Sequence, residues 1–244
     1  MIQSQAQIVS SLLAFGEQLG PIETFPALFP AATRLILDDP YAFCLGTCLD
    51  RGMQAEIVWT MPYWMRRALG HLDPRRVHRM SREELHVLVQ GWPKRPRYHN
   101  AAPRTIAEIT AIVVNEHDGD AAGIWRGKGA AQVRATFHSV HGVGSGIASM
   151  AVLLLERGYG IRFADLDRRT MDIKPDVHTR RVLYRLGVAS GTDEVDALIA
   201  ARTLHPEYPG ALDFSLWNVG RRWCRAEDPA CDACYLTGVC ARRI

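Results

Sequence analysis

The amino-acid sequence predicts an all-α protein of one or two domains. Apolar residues recur with helical periodicity in nine segments, the alternation typical of β-strands is almost absent, and helix-capping residues precede several of the segments. The chain has 244 residues, of which 48% are hydrophobic and 23% are charged. A chain of this length and composition buries a substantial core.

The helical segments are distributed along the whole chain. Ser81 and Glu84 form a capping box before the third segment, and Asp176 and Asp193 are suitable N-caps for the seventh and eighth. The proline-containing stretch 92–104 connects helices, and no repeat or low-complexity tract marks a domain boundary. The segments are Ile8–Phe15, Ala42–Leu69 with interruptions, Arg82–Val89, Thr105–Val114, Ala130–Val140, Ile147–Glu156, Val177–Leu186, Glu194–Thr203 and Leu212–Arg222.

The composition restricts the class of protein without identifying a partner. The start of the chain lacks the pattern of a signal peptide, and the longest apolar run, Ile147–Leu155, is too short to span a bilayer. We therefore expect a cytoplasmic protein. Its formal net charge of +3 permits a polyanionic partner but does not require one.

Four of the six cysteines lie in one C-terminal stretch with the spacing C-x6-C-x2-C-x5-C. In a reducing compartment such a group binds metal more often than it forms disulfides. Four thiolates suit a tetrahedral zinc ion or an iron–sulfur cluster, and a single C-x2-C flanked by one cysteine on each side favours the cluster. Zinc, or cysteines without any metal, are the alternatives. The four are Cys224, Cys231, Cys234 and Cys240, whereas Cys44 and Cys48 fit an apolar helix face in the core.

Three glycines at alternate positions separate two helical segments in the sequence HSVHGVGSGIAS. Gly142, Gly144 and Gly146 allow a sharp turn and close approach to another molecule, and the N–H groups that begin the next helix can bind an anion. This arrangement suits a DNA phosphate. The alternative is an ordinary tight turn between two helices.

A carboxylate follows in the sequence IKPDVHTRRVLYRLG, where Asp176 directly precedes an amphipathic helix. Its minimal role is to cap the N-terminus of that helix. A carboxylate beside a sugar can also stabilise developing positive charge and orient a water molecule. The two roles are compatible in one side chain.

Together these motifs resemble the endonuclease III family of helix-hairpin-helix DNA glycosylases. The cysteine spacing after FSLWNVGRRWC is similar to the loop that holds a [4Fe–4S] cluster in that family. Residues 140–144 resemble its LPGVG hairpin, with His141 in place of the usual proline, and residues 176–182 are in register with its VDTHxxRV segment. The three motifs span about the last 110 residues. MQAEIVWTMPYW resembles the adenine-glycosylase version of the family's helix that faces the extrahelical base and the gap it leaves.

The resemblance implies a two-domain, all-α helix-hairpin-helix glycosylase fold. A six-helix barrel domain is expected at residues 37–160, and an iron–sulfur cluster domain is expected to combine residues 1–36 with 161–244. Asp176 would be the catalytic carboxylate, and the four C-terminal cysteines would hold the [4Fe–4S] cluster. The DNA-binding hairpin, with a Na⁺ or K⁺ ion at its carbonyls, would consist of His141, Gly142, Val143, Gly144, Ser145 and Gly146.

The position of Gly146 carries, in bifunctional members of the family, the lysine that attacks the sugar and permits strand cleavage. Because glycine supplies no nucleophile, the resemblance implies a monofunctional DNA N-glycosylase of base excision repair that uses water and Asp176. Lys128 and Lys174 are the nearest lysines for a displaced lyase activity. The expected partner of this monomeric, nucleoid-associated bacterial or archaeal protein is double-stranded DNA with a damaged or mismatched base.

The base that is released stays open. The chain continues only briefly after Cys240, without the further domain usual in the family's adenine glycosylases, so an adenine specialist is not expected. Mismatched uracil or thymine, an alkylated purine or another base are the alternatives. Gln54 and Trp59 are candidates for a wedge or base pocket, although an aromatic residue at helical spacing is more often a core residue. A non-catalytic DNA-binding or damage-sensing protein and an iron–sulfur redox module are the alternative functions.

Overall fold

The computed structural model describes residues 4–244, which form two compact units. One unit joins the start of the chain, up to Gly20, with Asp167–Ile244, and the other is Pro21–Leu166. The boundaries between the units thus follow Gly20 and Leu166, whereas the predicted domain ranges place them after residues 36 and 160. Residues 1–3 of the predicted range 1–36 lie outside the described residues. All regular structure from residue 4 onward is helical, which confirms the predicted all-α class.

Fourteen α-helices account for most of the described chain. Three short 3₁₀ helices lie at Ala121–Ile124, Arg168–Thr170 and Pro209–Leu212. Within residues 4–244, none of the helices has the length and apolar character that a membrane crossing requires. The α-helices are α1 (Gln5–Glu17), α2 (Pro21–Thr24), α3 (Pro30–Asp38), α4 (Pro40–Leu49), α5 (Ala55–Val58), α6 (Met61–Leu69), α7 (Pro74–His78), α8 (Arg82–Gln90), α9 (Ala102–His117), α10 (Ala130–Ser139), α11 (Ser145–Gly158), α12 (Val177–Leu186), α13 (Glu194–Leu204) and α14 (Asp213–Arg222).

Helix α4 is the centre of the unit formed by residues 21–166. Residues 41–49 are all buried, as expected for a helix that is apolar around its whole circumference. Pro40 supplies the backbone angle that a first helical turn requires, and Asp39 Oδ1 accepts a hydrogen bond of 2.9 Å from the N–H of Tyr41. Helices α3, α6 and α9 pack around α4.

An aromatic cluster fills the core beside α4. The ring of Phe43 lies 6.0 Å from that of Phe25 and 6.2 Å from that of Phe137, both edge-on, and Phe25 lies 5.1 Å from Trp59. Each such pair contributes about 0.5–1.5 kcal/mol beyond the area it buries. Because Phe25 follows α2 directly, this packing explains why the unit begins at Pro21 and not at residue 37.

The unit that contains the chain start is built from α1, α12, α13 and α14. Leu12, Leu183 and Leu216 are fully buried in its apolar core, one from each of α1, α12 and α14. Gly220 lets α12 and α14 approach closely, because a Cβ atom at this position would lie 2.7 Å from Cβ of His178. The fold thereby fixes α12 against the helix that leads into the C-terminal cysteines.

Candidate functional site

Asp176 is the N-cap of α12, as the sequence predicts. Its Oδ1 atom accepts hydrogen bonds from the N–H groups of His178 at 2.8 Å and Thr179 at 3.0 Å. Its Oδ2 atom has no hydrogen-bond partner within the described residues, and the side chain is partly exposed. Capping therefore uses one carboxylate oxygen and leaves the other free to act on a bound molecule.

The segment before α12 is fixed by its own hydrogen bonds. The carbonyl of Lys174 accepts the N–H of Asp176 at 2.8 Å and the hydroxyl of Thr179 at 2.8 Å. The N–H of Lys174 donates at 2.6 Å to Oδ1 of Asp213, the first residue of α14. Both backbone groups of Lys174 are therefore held, and the carboxylate of Asp176 starts from a defined position.

Asp213 is a second carboxyl group at this place, and it was not predicted. Its pKa is raised to about 7, chiefly by burial. The hydrogen bond from the Lys174 N–H acts in the opposite direction, and the negative charge of Asp176 contributes to the rise. Carboxyl groups that are desolvated beside a like charge lose their proton only near neutral pH. Nothing in the sequence distinguishes Asp213, because its burial and its neighbours depend on tertiary packing.

Arginines of α12 hold this helix to the cysteine loop. Arg181 Nε donates at 2.6 Å to the carbonyl of Cys224, and its Nη2 donates at 3.0 Å to the carbonyl of Gly220. Arg185 Nη1 donates at 2.6 Å to the carbonyl of Arg225. Charge-assisted hydrogen bonds of this kind are about twice as strong as neutral ones, so α12 and the loop are firmly connected.

The four C-terminal cysteines line one common cavity. None of them forms a disulfide, and apolar residues such as Val182 and Leu236 complete the wall. Two donors point at the sulfurs: the N–H of Arg242 lies 3.4 Å from Sγ of Cys240, and Arg185 Nη1 lies 3.7 Å from Sγ of Cys224. Such donors favour the thiolate form that a metal or cluster requires.

The thiols crowd one another in this cavity. Burial raises the pKa of Cys234 and of Cys240, and the neighbouring cysteines raise both pKa values further. A cationic centre removes that penalty, because it favours the deprotonated sulfurs. Between residues 4 and 244, however, no group of three or more histidine, cysteine, aspartate or glutamate side chains is arranged to hold a metal ion. The donor set thus fits a bound group chemically, because all four thiols line the same cavity.

The glycine hairpin lies between α10 and α11, in the unit 21–166. Gly142 has a φ of 80°, a left-handed conformation that favours glycine. Val143 is buried and anchors the turn, whereas Gly142, Gly144, Ser145 and Gly146 are exposed. The N–H groups at the start of α11 are therefore accessible to an anion.

Helix α9 holds His141 of the hairpin through both of its backbone groups. The N–H of His141 donates at 2.6 Å to Oε2 of Glu108, and the hydroxyl of Thr105 donates at 2.9 Å to the carbonyl of His141. Arg104 Nε donates at 2.7 Å to the other carboxylate oxygen of Glu108. The sequence did not reveal these contacts.

Arg51 places a permanent positive charge against the turn. Its Nη2 donates at 2.8 Å to the hydroxyl of Thr105, and a side chain at Gly142 would collide with its guanidinium group. Burial lowers the pKa of Arg51, but an arginine with a half-buried guanidinium stays charged at neutral pH.

The predicted monovalent cation at the hairpin carbonyls remains a proposal.

The predicted candidates at the hairpin and in the base pocket occupy contrasting positions. Gly146 is exposed in the first turn of α11, and apart from its own helix no atom of the described chain lies within 4 Å of where its Cβ would be. Gln54 is exposed at the N-cap of α5, where its side chain makes no capping hydrogen bond. Trp59, by contrast, is only 3% exposed and packs in the aromatic core. A buried Trp59 does not offer a stacking surface, so its expected role facing DNA is replaced by a role in packing.

The lysines considered for lyase chemistry lie outside the hairpin segment of the sequence. Lys128 is exposed in the turn before α10. Lys174 belongs to the other compact unit and precedes Asp176. Neither lysine occupies the hairpin position itself.

Solved structures with the same fold are available for comparison. One of a trapped endonuclease III–DNA covalent intermediate in an estranged-adenine complex is 17% identical, with a TM-score of 0.64, and the match covers 98% of this chain and 97% of that chain. One of a non-covalent endonuclease III–DNA complex is 18% identical, with a TM-score of 0.64 and coverage of 98% and 96%. A thermostable thymine-DNA glycosylase is 16% identical, with a TM-score of 0.62 and coverage of 98% and 95%.

These similarities show that the chain has the endonuclease III-like glycosylase fold. The predicted helix-hairpin-helix glycosylase architecture is thereby confirmed. No protein-family model matches the sequence, and no curated protein sequence matches it.

Proposed function

We propose that this protein is a monofunctional DNA N-glycosylase of base excision repair, with Asp176 as its catalytic carboxylate. The observation that carries the proposal is the geometry of Asp176 on an endonuclease III-like fold: Oδ1 caps α12 while Oδ2 is left without a partner in the described chain. The solved structures of similar fold include endonuclease III bound to DNA and a thymine-DNA glycosylase. A damaged or mismatched base in double-stranded DNA is the proposed substrate.

The chemistry requires a negative charge beside the sugar. Breaking an N-glycosidic bond builds positive charge on the deoxyribose, which a fixed carboxylate stabilises. The same carboxylate can orient a water molecule that attacks the sugar. The hydrogen bonds from His178 and Thr179 hold Asp176 in place before the substrate binds, so little reorganisation is needed during the reaction.

The glycine hairpin is the proposed contact with the DNA backbone. Its exposed glycines permit close approach of a phosphate, and Arg51 adds positive charge beside the turn. The first N–H groups of a helix such as α11 have no acceptor within the helix and can bind an anion. A firm hold on the backbone is needed because extruding a base from the stack costs a few kcal/mol. Gln54, with its exposed amide, is the proposed residue that reads the extrahelical base or fills the gap it leaves.

The absence of a lysine at position 146 supports a reaction without strand cleavage. A lyase step requires an amine that attacks the sugar and forms a Schiff base, and glycine has none. Water is then the nucleophile, and the product is an intact abasic site. The bifunctional alternative requires Lys128 or Lys174 to take over this role.

The C-terminal cysteines are the proposed ligands of a [4Fe–4S] cluster. Four thiolates suit either a tetrahedral zinc ion or an iron–sulfur cluster. The spacing, a single C-x2-C flanked by one cysteine on each side, favours the cluster, and the four cysteines line one cavity. When bound, the cluster would order the loop that packs on α12.

A panel of DNA duplexes tests the function. Each duplex carries one lesion or mismatch, and each reaction is analysed with and without alkali. We expect breaks at one class of lesion only after alkali, because alkali cleaves an abasic site. Breaks without alkali would contradict the monofunctional reaction, and no release from any duplex would contradict the glycosylase.

The second candidate is a non-catalytic DNA-binding or damage-sensing protein. The exposed hairpin favours it, since this element serves binding whether or not chemistry follows. Tight binding to a lesion-containing duplex without release of any base, from the same panel, would favour this candidate over the enzyme.

A further inference from the structure

The proposed reaction assigns no role to the ionisable carboxyl group of Asp213. Asp213 is the first residue of α14, and its carboxyl group is enclosed by protein although the residue keeps some exposed surface. Isolated buried carboxylates are unfavourable, so such a group is retained only where it has a partner or a role. Its one hydrogen bond to the described chain is accepted from the N–H of Lys174, at 2.6 Å.

A chain of hydrogen bonds connects Asp213 to Asp176. Asp213 fixes the N–H of Lys174, and the carbonyl of Lys174 accepts the N–H of Asp176 at 2.8 Å. The same carbonyl accepts the hydroxyl of Thr179 at 2.8 Å, and the N–H of Thr179 donates to Asp176 Oδ1. The position of the Asp176 carboxylate therefore depends on the anchor that Asp213 provides.

The two carboxyl groups also interact through their charges. The pKa of Asp213 is about 7, and burial is the largest cause of the rise. The hydrogen bond from the Lys174 N–H lowers this pKa, the charge of Asp176 raises it, and the charge of Lys174 lowers it by a smaller amount. Helix α1 and the 3₁₀ helix Pro209–Leu212 also pack on α14, but within the described chain they add no charge that acts on this carboxyl. Two carboxyl groups coupled in this way release their protons in separate steps.

We propose that Asp213 is a positioning residue that holds Asp176 for the reaction and, through its own charge, sets how strongly negative the site is. This inference rests on the proposed glycosylase function. Below neutral pH, Asp213 carries a proton and the site holds one negative charge. Above it, the second charge strengthens the field that stabilises a positive sugar, and excision accelerates.

The first test compares excision rates in single-turnover reactions from about pH 5 to pH 9, a range that brackets the titration. For the unaltered protein we expect the rate to rise severalfold through neutral pH, as a second negative charge forms beside Asp176. Asp213→Asn keeps the oxygen that accepts the Lys174 N–H but cannot ionise, so its rate should stay flat while DNA affinity is unchanged. Asp213→Ala also removes the anchor and should lower the rate at every pH.

Asp172→Asn is the matched control. Asp172 lies in the same segment, but its carboxylate is paired with Arg202 at 2.7 Å on the surface. The pH profile of this variant should match that of the unaltered protein. A profile for Asp213→Asn that still rises through neutral pH would overturn the inference, even if base excision itself is observed.

Carbon-13 NMR of the aspartate carboxyl groups provides a readout independent of activity. We expect Asp213 to titrate near neutral pH in the free protein, and Asp176→Asn to shift this titration to lower pH because it removes the neighbouring charge. Titration at the ordinary aspartate value, or no shift in Asp176→Asn, would overturn the pairing. If the shift occurs but no lesion is released by the unaltered protein, the proposed function fails and the coupling of the two carboxyl groups stands.

Discussion

The backbone N–H of His141 donates a hydrogen bond of 2.6 Å to Oε2 of Glu108. A proline at this position, which the resemblance to the hairpin sequence LPGVG leads one to expect, has no N–H to donate. The contact is therefore possible because this chain carries histidine here. Together with the hydrogen bond from Thr105 to the His141 carbonyl, it ties the start of the hairpin to α9.

Removal of the Glu108 carboxylate should loosen the hairpin. Glu108→Ala leaves the His141 N–H without its acceptor, which costs about 1–3 kcal/mol when the group is shielded from water. We expect a lower free energy of unfolding and weaker DNA binding, measured by denaturant unfolding and fluorescence anisotropy. Glu116→Ala, an exposed substitution on the same helix, is the control and should change stability by less than about 0.5 kcal/mol. Equal behaviour of the two variants would contradict the role of Glu108.

The contribution of Glu108 should also depend on pH. Burial acts to raise its pKa, but the hydrogen bonds from Arg104 and His141 outweigh this and place the pKa below its usual value. A depressed folded-state pKa stabilises the protein above the unfolded-state value of about 4.3, and this stabilisation is lost as the pH falls through the folded-state pKa. The stability difference between the unaltered protein and Glu108→Gln should therefore shrink in acid, and a constant difference would contradict this assignment.

Local signals in the sequence predicted the helices well. The capping box of Ser81 with Glu84 and the caps Asp176 and Asp193 begin helices in the structure, because a cap acts within three residues of its own position. The interrupted segment 42–69 is resolved into α4, α5 and α6.

Features that depend on distant parts of the chain were not predictable in this way. The Asp213 carboxyl is enclosed near Lys174 and Asp176, and Arg51 lies against Gly142. Both contacts connect residues far apart in sequence, so the hydrophobic periodicity of single segments cannot predict them. The position of Trp59 was likewise not predictable from residue type alone. Its type fits a base pocket, but Phe25 and Phe43 enclose it in the core.

Substitution of Asp176 should separate catalysis from capping. Asparagine caps helices about as well as aspartate, so Asp176→Asn should fold with nearly unchanged stability, bind DNA and lose excision by several orders of magnitude. Asp176→Ala should lose excision too and in addition lose about 1 kcal/mol of stability. Asp193→Asn, at the equivalent cap of α13, is the control and should keep full activity. Unaltered excision by Asp176→Asn would remove Asp176 from the proposed role.

Loss of one C-terminal cysteine should release the bound group. Cys234→Ser removes a thiolate ligand, so we expect iron and sulfide to fall together with the stability of the unit that contains α12 and α14. Cys44→Ala is the control, because Cys44 is buried in the core of the other unit and should leave the iron content unchanged. Zinc in place of iron in the unaltered protein would contradict the proposed cluster.

Introduction of a lysine at position 146 tests the reason for the monofunctional reaction. Among residues 4–244, no atom outside its own helix lies within 4 Å of a Cβ at Gly146, so Gly146→Lys should fold normally. Loss of a helical glycine even favours the folded state by about 0.5–1 kcal/mol. If this position lies beside the sugar, the new amine should form a Schiff base that borohydride traps on lesion-containing DNA, with strand breaks before alkali. Gly146→Arg carries the same charge without forming a Schiff base and should yield no trapped complex. Excision by Gly146→Lys without a trapped complex would mean that residue 146 does not reach the sugar. The glycine at this position would then not be the reason for an intact product strand.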